Sequence, residues 1–192
     1  MRADAALNRR RLILAARDAV AEQGLGVGVR AIADRAGVGI TTLYRHFPEK
    51  QQLIDGLSIY RWATMARLAD RCTATVSPLP AVVSLLETFT RMVTADDAFI
   101  LAADLRIGRT PTGIQPHKAQ FDPLFEAMWA AAQHSGQIRV HADRRDALEL
   151  AGMIRDTQRR THMLRLLING ICTDTVDAEQ LLAPCSRPLA RL

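Results

Sequence analysis

The stretch VRAIADRAGVGITTLYRH, residues 29 to 46, constrains this chain more than any other. Apolar residues at Val29, Ile32, Ala33 and Ala36 recur at helical spacing, Gly37-Val38-Gly39 interrupts them, and the pattern resumes from Ile40 to Phe47. A glycine at the interruption supplies the positive φ that a tight turn between two helices needs. Two short helices joined in this way outline a helix-turn-helix. Ala33 is small enough for the helices to cross closely, while Val38, Ile32 and Leu43 fill the space between them. The second helix is then left with an outer surface of Thr41, Thr42, Tyr44, Arg45 and His46, all donors suited to phosphate oxygens and base edges.

The flanking sequence extends this unit. Leu12, Ile13, Ala16, Ala19 and Val20 predict a helix over about 9 to 23, capped by Asn8 and ended by Gly24. Pro48-Glu49 predicts the start of a fourth helix, whose open first turn and Lys50 offer an anion site. Arg9, Arg10 and Arg11 are suited to a neighbouring phosphate. Leu53, Ile54, Leu57, Met65 and Leu68 carry the fourth helix to about Cys72, before SPLP at 77 to 80 breaks it.

Charge divides along the same line. Residues 1 to 50 hold 9 basic and 5 acidic residues, a net +4, and the remaining 142 hold 16 and 15, a net +1. A basic head on a nearly neutral body fits a nucleic-acid-binding segment.

The segments RLILAARDAVAEQG and VRAIADRAGVGITTLYRHFPEKQQL resemble the DNA-binding head of the TetR family of transcriptional repressors from about Arg10 to Ile54. The Ile-Ala, Ala-Gly-Val, Thr-Leu-Tyr, His-Phe and Lys positions fall in register without gaps. The resemblance implies that Ile40, Thr41, Thr42, Tyr44 and Arg45 face the major groove. It also implies that Tyr44, His46 and Lys50 hold phosphates and that Arg30 reaches a base or a phosphate. The chain departs from the family pattern before the second and third helices, where Val27-Gly28 and Gly39 replace the usual capping hydroxyls. Ile40 takes a position that is often polar, which suggests an apolar contact such as a thymine methyl.

Beyond residue 80 the pattern stays helical, at about 80 to 94, 97 to 106, 117 to 134, 144 to 156, 158 to 169 and, more weakly, 177 to 183, with GRTPTGIQP at 108 to 116 as the longest loop. An abundance of alanine, leucine and arginine beside 5% aromatic residues favours helices, so the chain reads as all-α. The resemblance implies a long fourth helix joining a head at 1–54 to a ligand-binding and dimerisation body at 55–192. Phe89, Met92, Phe121, Phe125, Met128 and Trp129 lie on helices that it places around a ligand site; they line that pocket or form ordinary core. Leu148, Ala151, Ile154, Met163, Leu164 and Leu167 form stripes on the last two long helices that suit a four-helix dimer interface, an internal bundle, or both.

Other classes of function find little support in the residues. No apolar run approaches the roughly 20 residues of a membrane span, and the N-terminus lacks the apolar stretch of a secretory signal, which points to the cytoplasm. Cys72, Cys172 and Cys185 lie far apart and outside any Cys/His cluster, and His117, His134 and His162 have no ligand spacing, so neither a metal nor a cofactor is expected. No phosphate-binding glycine loop, nucleophile triad or carboxylate pair suggests an enzyme. The expected function is a homodimeric repressor on double-stranded DNA at an inverted-repeat operator, released by an unidentified apolar or amphipathic small-molecule effector. An activator, or a constitutive regulator without an inducer, is the alternative.

Overall fold

The computed structural model describes residues 2–24, 26–94 and 112–182, and among them every regular element is helical apart from one isolated bridge. In order these are α1 (Arg2–Gln23), α2 (Val29–Ala36), α3 (Ile40–His46), α4 (Lys50–Thr75), α5 (Pro78–Thr94), a 3-10 turn (Thr112–Ile114), α6 (Gln115–His134), α7 (Arg144–Met153), α8 (Arg160–Ile171) and α9 (Ala178–Leu182). The all-α expectation is met. The helix expected at 97 to 106, and residues 108–111 of the loop expected at 108 to 116, lie outside the described residues; the rest of that loop is instead helical, with Thr112–Ile114 in the 3-10 turn and Gln115 and Pro116 opening α6. No helix among the described residues is long and apolar enough to cross a membrane.

The described residues fall into two compact units, one running to Ala63 and including 112–117, the other formed by Thr64–Thr94 and 118–182. Helix α4 contributes its first half to one and its second half to the other.

In the first unit, α1 starts at Arg2 rather than at residue 9, so Asn8 lies inside the helix instead of capping it. Ala3, Ala5, Ala6 and Leu7 are strong helix formers that carry the helix back without needing a core. The helix ends where Gly24 takes φ 72° and donates its N–H to the Val20 carbonyl at 2.8 Å. Gly37 does the same for α2 with φ 66° and ψ 34°, its N–H reaching the Asp34 carbonyl and that of Val38 the Ala33 carbonyl, both at 3.1 Å. Gly39, with φ −65° and ψ 147°, then launches α3. Leu12, Ile13, Ala16 and Val20 of α1 pack with Ile32, Ala33, Leu43, Phe47, Leu53 and Leu57 into one core. Gly56 permits the closest approach within it: a Cβ there would stand 3.1 Å from Phe47 Cε1 and 3.6 Å from Ile13 Cδ1.

In the second unit, Pro78 opens α5 at the position where a missing N–H is harmless. This helix buries Leu79, Val82, Val83, Leu85, Leu86, Phe89 and Val93, more than one face of a surface helix would, and so runs through the middle of its unit. Asp143 caps α7, its carboxylate accepting the N–H groups of Arg145 at 2.7 Å and Asp146 at 3.2 Å. Helix α7 stops at Met153, short of the expected 156, because Asp156 Oδ1 accepts the N–H groups of Gln158 at 2.9 Å and Arg159 at 3.1 Å. That turn holds the chain out of helix until Arg160. Ile138 and Cys172 form the bridge, flanked by Arg139 N–H to the Ile171 carbonyl at 2.9 Å and Thr173 N–H to the Gln137 carbonyl at 3.0 Å.

Candidate nucleic-acid interface

Helix α3 has two unlike faces. Leu43, 1% exposed, and Phe47 at its C-cap, also 1% exposed, are sealed in the core of the first unit. Thr41, Tyr44 and Arg45 are exposed, with Ile40, Thr42 and His46 half-buried at the margin. A seven-residue helix cannot hold itself together in water, so its outward residues are positioned by the inward pair and by the Gly37 turn that sets its angle to α2. Arg30 is exposed near the start of α2, and Lys50, half-buried, is the first residue of α4. All eight residues named as DNA contacts therefore belong to the first unit, and Arg30 and Arg45 carry no ion-pair partner among the described residues.

The chemistry of this surface follows from what its polar groups leave open. Glycine N-caps give α2 and α3 no side-chain cap, so their first-turn N–H groups are not occupied by a hydroxyl or carboxylate. His46 is half-buried, and its Nε2 is buried without a hydrogen-bond partner. Positive charge, hydroxyls and a phenol on one short helix suit a polyanion that also carries base edges.

Two contacts were not legible as part of this site. Arg35 on α2 pairs with Glu22 on α1 at 2.5 Å, fixing the two helices together, and that hydrogen bond raises the arginine pKa above its ordinary value. The guanidinium of Arg9, grouped by sequence with Arg10 and Arg11, lies over the Phe47 ring at 4.9 Å from its centroid. Long-range pairs of this kind leave no spacing signal; Glu22 and Arg35 are 13 residues apart.

In the second unit, Phe121, Phe125 and Trp129 lie at successive turns of α6: the first two rings stack at 5.3 Å, and the next pair meets edge-on at 6.0 Å. These three, with Phe89 and Met128, are buried, and Met92 is half-buried. Ala151, Ile154 and Leu164 are buried within the chain itself, whereas Leu148, Met163 and Leu167 are half-buried. The apolar side chains most exposed on α7 and α8 are instead Leu150 at 52%, Met153 at 70% and Leu166 at 58%. The apolar stripes on these helices are therefore wide enough to reach both the core and the surface, with Leu150 and Met153 one helical turn apart on the exposed side. No group of three metal-ligating side chains occurs among the described residues.

The family model described as bacterial regulatory proteins, tetR family, matches residues 12–57. The solved structure of the TetR transcription regulatory protein from Mycobacterium vanbaalenii is 31% identical, with 90% of this chain and 99% of that one covered at a TM-score of 0.69. A TetR transcriptional regulator from Streptomyces coelicolor is 26% identical, with 86% and 99% covered at 0.66. A gamma-butyrolactone receptor described as ArpA-like is 23% identical, with 95% and 97% covered at 0.66, a likeness of fold alone. No protein of curated function matches the chain.

Proposed function

The chain belongs to the TetR family of bacterial transcriptional regulators, and on that premise we propose that it is a homodimeric repressor whose α3 reads an inverted-repeat operator and lets go of it when a small apolar or amphipathic molecule binds the body. The observation that carries this reading is the division of α3, with Thr41, Tyr44 and Arg45 outward over a buried Leu43 and Phe47. One such helix per chain reads one half-site, and a two-fold dimer therefore needs two half-sites facing each other.

Exposed Leu150, Met153 and Leu166 supply the apolar surface that a dimer would bury, next to half-buried Leu148, Met163 and Leu167. The functional division falls at about residue 54, with the ligand and the partner taken by 55–192. Helix α4, 26 residues and so about 39 Å long, is the stiff element through which a body shifted by ligand would move the head. A ligand releases DNA only to the extent that it binds the DNA-incompetent arrangement more tightly, and operator DNA must weaken ligand binding by the same factor. A regulator without an inducer is the second reading, favoured by the complete burial of Phe121 and Phe125.

Footprinting on the DNA upstream of the chain's own coding sequence, repeated with apolar metabolites, tests both. Protection lost with a ligand supports the inducible repressor. Protection that no ligand changes selects the second reading, and no protection on any DNA overturns both.

A further inference from the structure

The N-terminal part of α1 is helical without a core to rest on. From residue 4 onward Leu12 is the first buried residue; Asp4, Ala6, Leu7, Arg9, Arg10 and Arg11 are exposed, and Ala5 and Asn8 are half-buried. From Arg2 to Arg11 at about 1.5 Å per residue this is an arm some 15 Å long. Arg10 and Arg11 make neither an ion pair nor a side-chain hydrogen bond among the described residues. Arg9 differs, because its guanidinium is seated on the ring of Phe47, which closes α3 three residues before Lys50. The arm therefore leaves the core beside the α3–α4 junction, where Arg45 and Lys50 also lie.

We propose that Arg10 and Arg11 form a second, sequence-independent clamp on the phosphodiester backbone of duplex DNA, and that Arg9 is the positioning residue that fixes the arm against α3. The inference rests on the DNA-binding reading above. Three consecutive arginines cover more than half the circumference of a helix, so two of them can face a polyanion while the third stays on its aromatic seat. Charge complementarity selects the backbone: duplex DNA presents one phosphate charge per roughly 1.7 Å of axis, and each cation that neutralises one releases a counterion. Two such contacts per chain make four in a dimer, which steepens the dependence of log affinity on log salt by about 3.6.

The test compares the full chain with an Arg10→Gln/Arg11→Gln variant and an Arg10→Lys/Arg11→Lys variant, titrated from low to high salt onto mixed-sequence duplex and onto a selected binding site. The clamp predicts a slope shallower by three to four for the glutamine variant on both DNAs, near recovery with lysine, and unchanged thermal unfolding, since neither side chain is packed. Arg9→Gln should remove part of the same slope, and Arg9→Lys, which can keep a cation on the ring, should return it. An unchanged slope for the glutamine variant, in a chain that binds DNA, overturns the clamp and leaves the DNA-binding reading standing. A loss confined to the selected site overturns it as well, because that is base reading. Failure of the unsubstituted chain to bind any duplex overturns both.

Discussion

The guanidinium of Arg9 stands 4.9 Å from the centroid of the Phe47 ring, joining the N-terminal half of α1 to the residue that closes α3. Phe47 is 1% exposed, and a Cβ added at Gly56 would stand 3.1 Å from its ring. Truncating Phe47 to alanine should therefore cost about 3–5 kcal/mol, whereas Arg9→Gln should cost only about 0.5–1 kcal/mol. A double-mutant cycle in urea with Phe47→Leu should recover most of the Arg9 effect as coupling. An Arg9→Gln cost that is the same in the leucine background would show that the pair carries no energy.

Gly37 and Gly39 are two residues apart and should respond oppositely. Gly37 sits at φ 66°, where an added Cβ is strained even though nothing lies within 4 Å, so Gly37→Ala should lose about 1–2 kcal/mol. Gly39 is an N-cap in ordinary extended geometry with open space around it, and Gly39→Ser should gain a few tenths of a kcal/mol by supplying a capping hydroxyl. Equal losses at both positions, measured by denaturant unfolding, would contradict the turn geometry.

Trp129 was a pocket candidate from its place on α6, yet it is 3% exposed and edge-on to Phe125. Trp129→Ala should then cost about 3–5 kcal/mol as a core residue. A thermal midpoint close to that of the unsubstituted chain would instead mark room around the ring, the property a ligand site needs.

The Asp143 carboxylate is held below its ordinary value of 3.8 by the N–H groups of Arg145 and Asp146, the first contributing most. A depressed folded-state pKa contributes stability that is fully present above 3.8 and fades as pH falls through the lower value. Asp143→Ala should lower the thermal midpoint at pH 7, and the difference should shrink below pH 3.8 toward zero. A difference that persists unchanged in acid would mean that the charge is not what caps α7.

The head was legible because its constraints are local. Gly24 and Gly37 each take a left-handed backbone turn at a fixed sequence offset, and the limits of α2 agree to the residue. The register of α3 followed from Leu43 and Phe47, which gave the outward set by subtraction. What escaped depends on contacts between distant residues or on competition at a helix end. The Arg9–Phe47 and Arg35–Glu22 pairs join separate helices. The early stop of α7 depends on whether Asp156 caps a turn or continues the helix, and both are open to an aspartate in isolation. On α7 and α8, hydrophobicity alone could not divide the stripe between Ala151 and Leu164, which face inward, and Leu150, Met153 and Leu166, which do not.

The central claim is that α3 reads DNA from a two-fold dimer, and selection of binding sites from a random duplex pool, with the mass of the bound species measured, tests it most directly. The account predicts enrichment of an inverted repeat whose half-sites lie about one helical turn of DNA, or a small multiple, apart, bound by two chains. Thr42→Ala or Arg45→Ala should flatten the preference for that site over random DNA, while Lys50→Ala should weaken binding to every sequence and lower the salt slope by about one per chain. A pool that enriches no sequence, or a single half-site bound by one chain at full affinity, would contradict it.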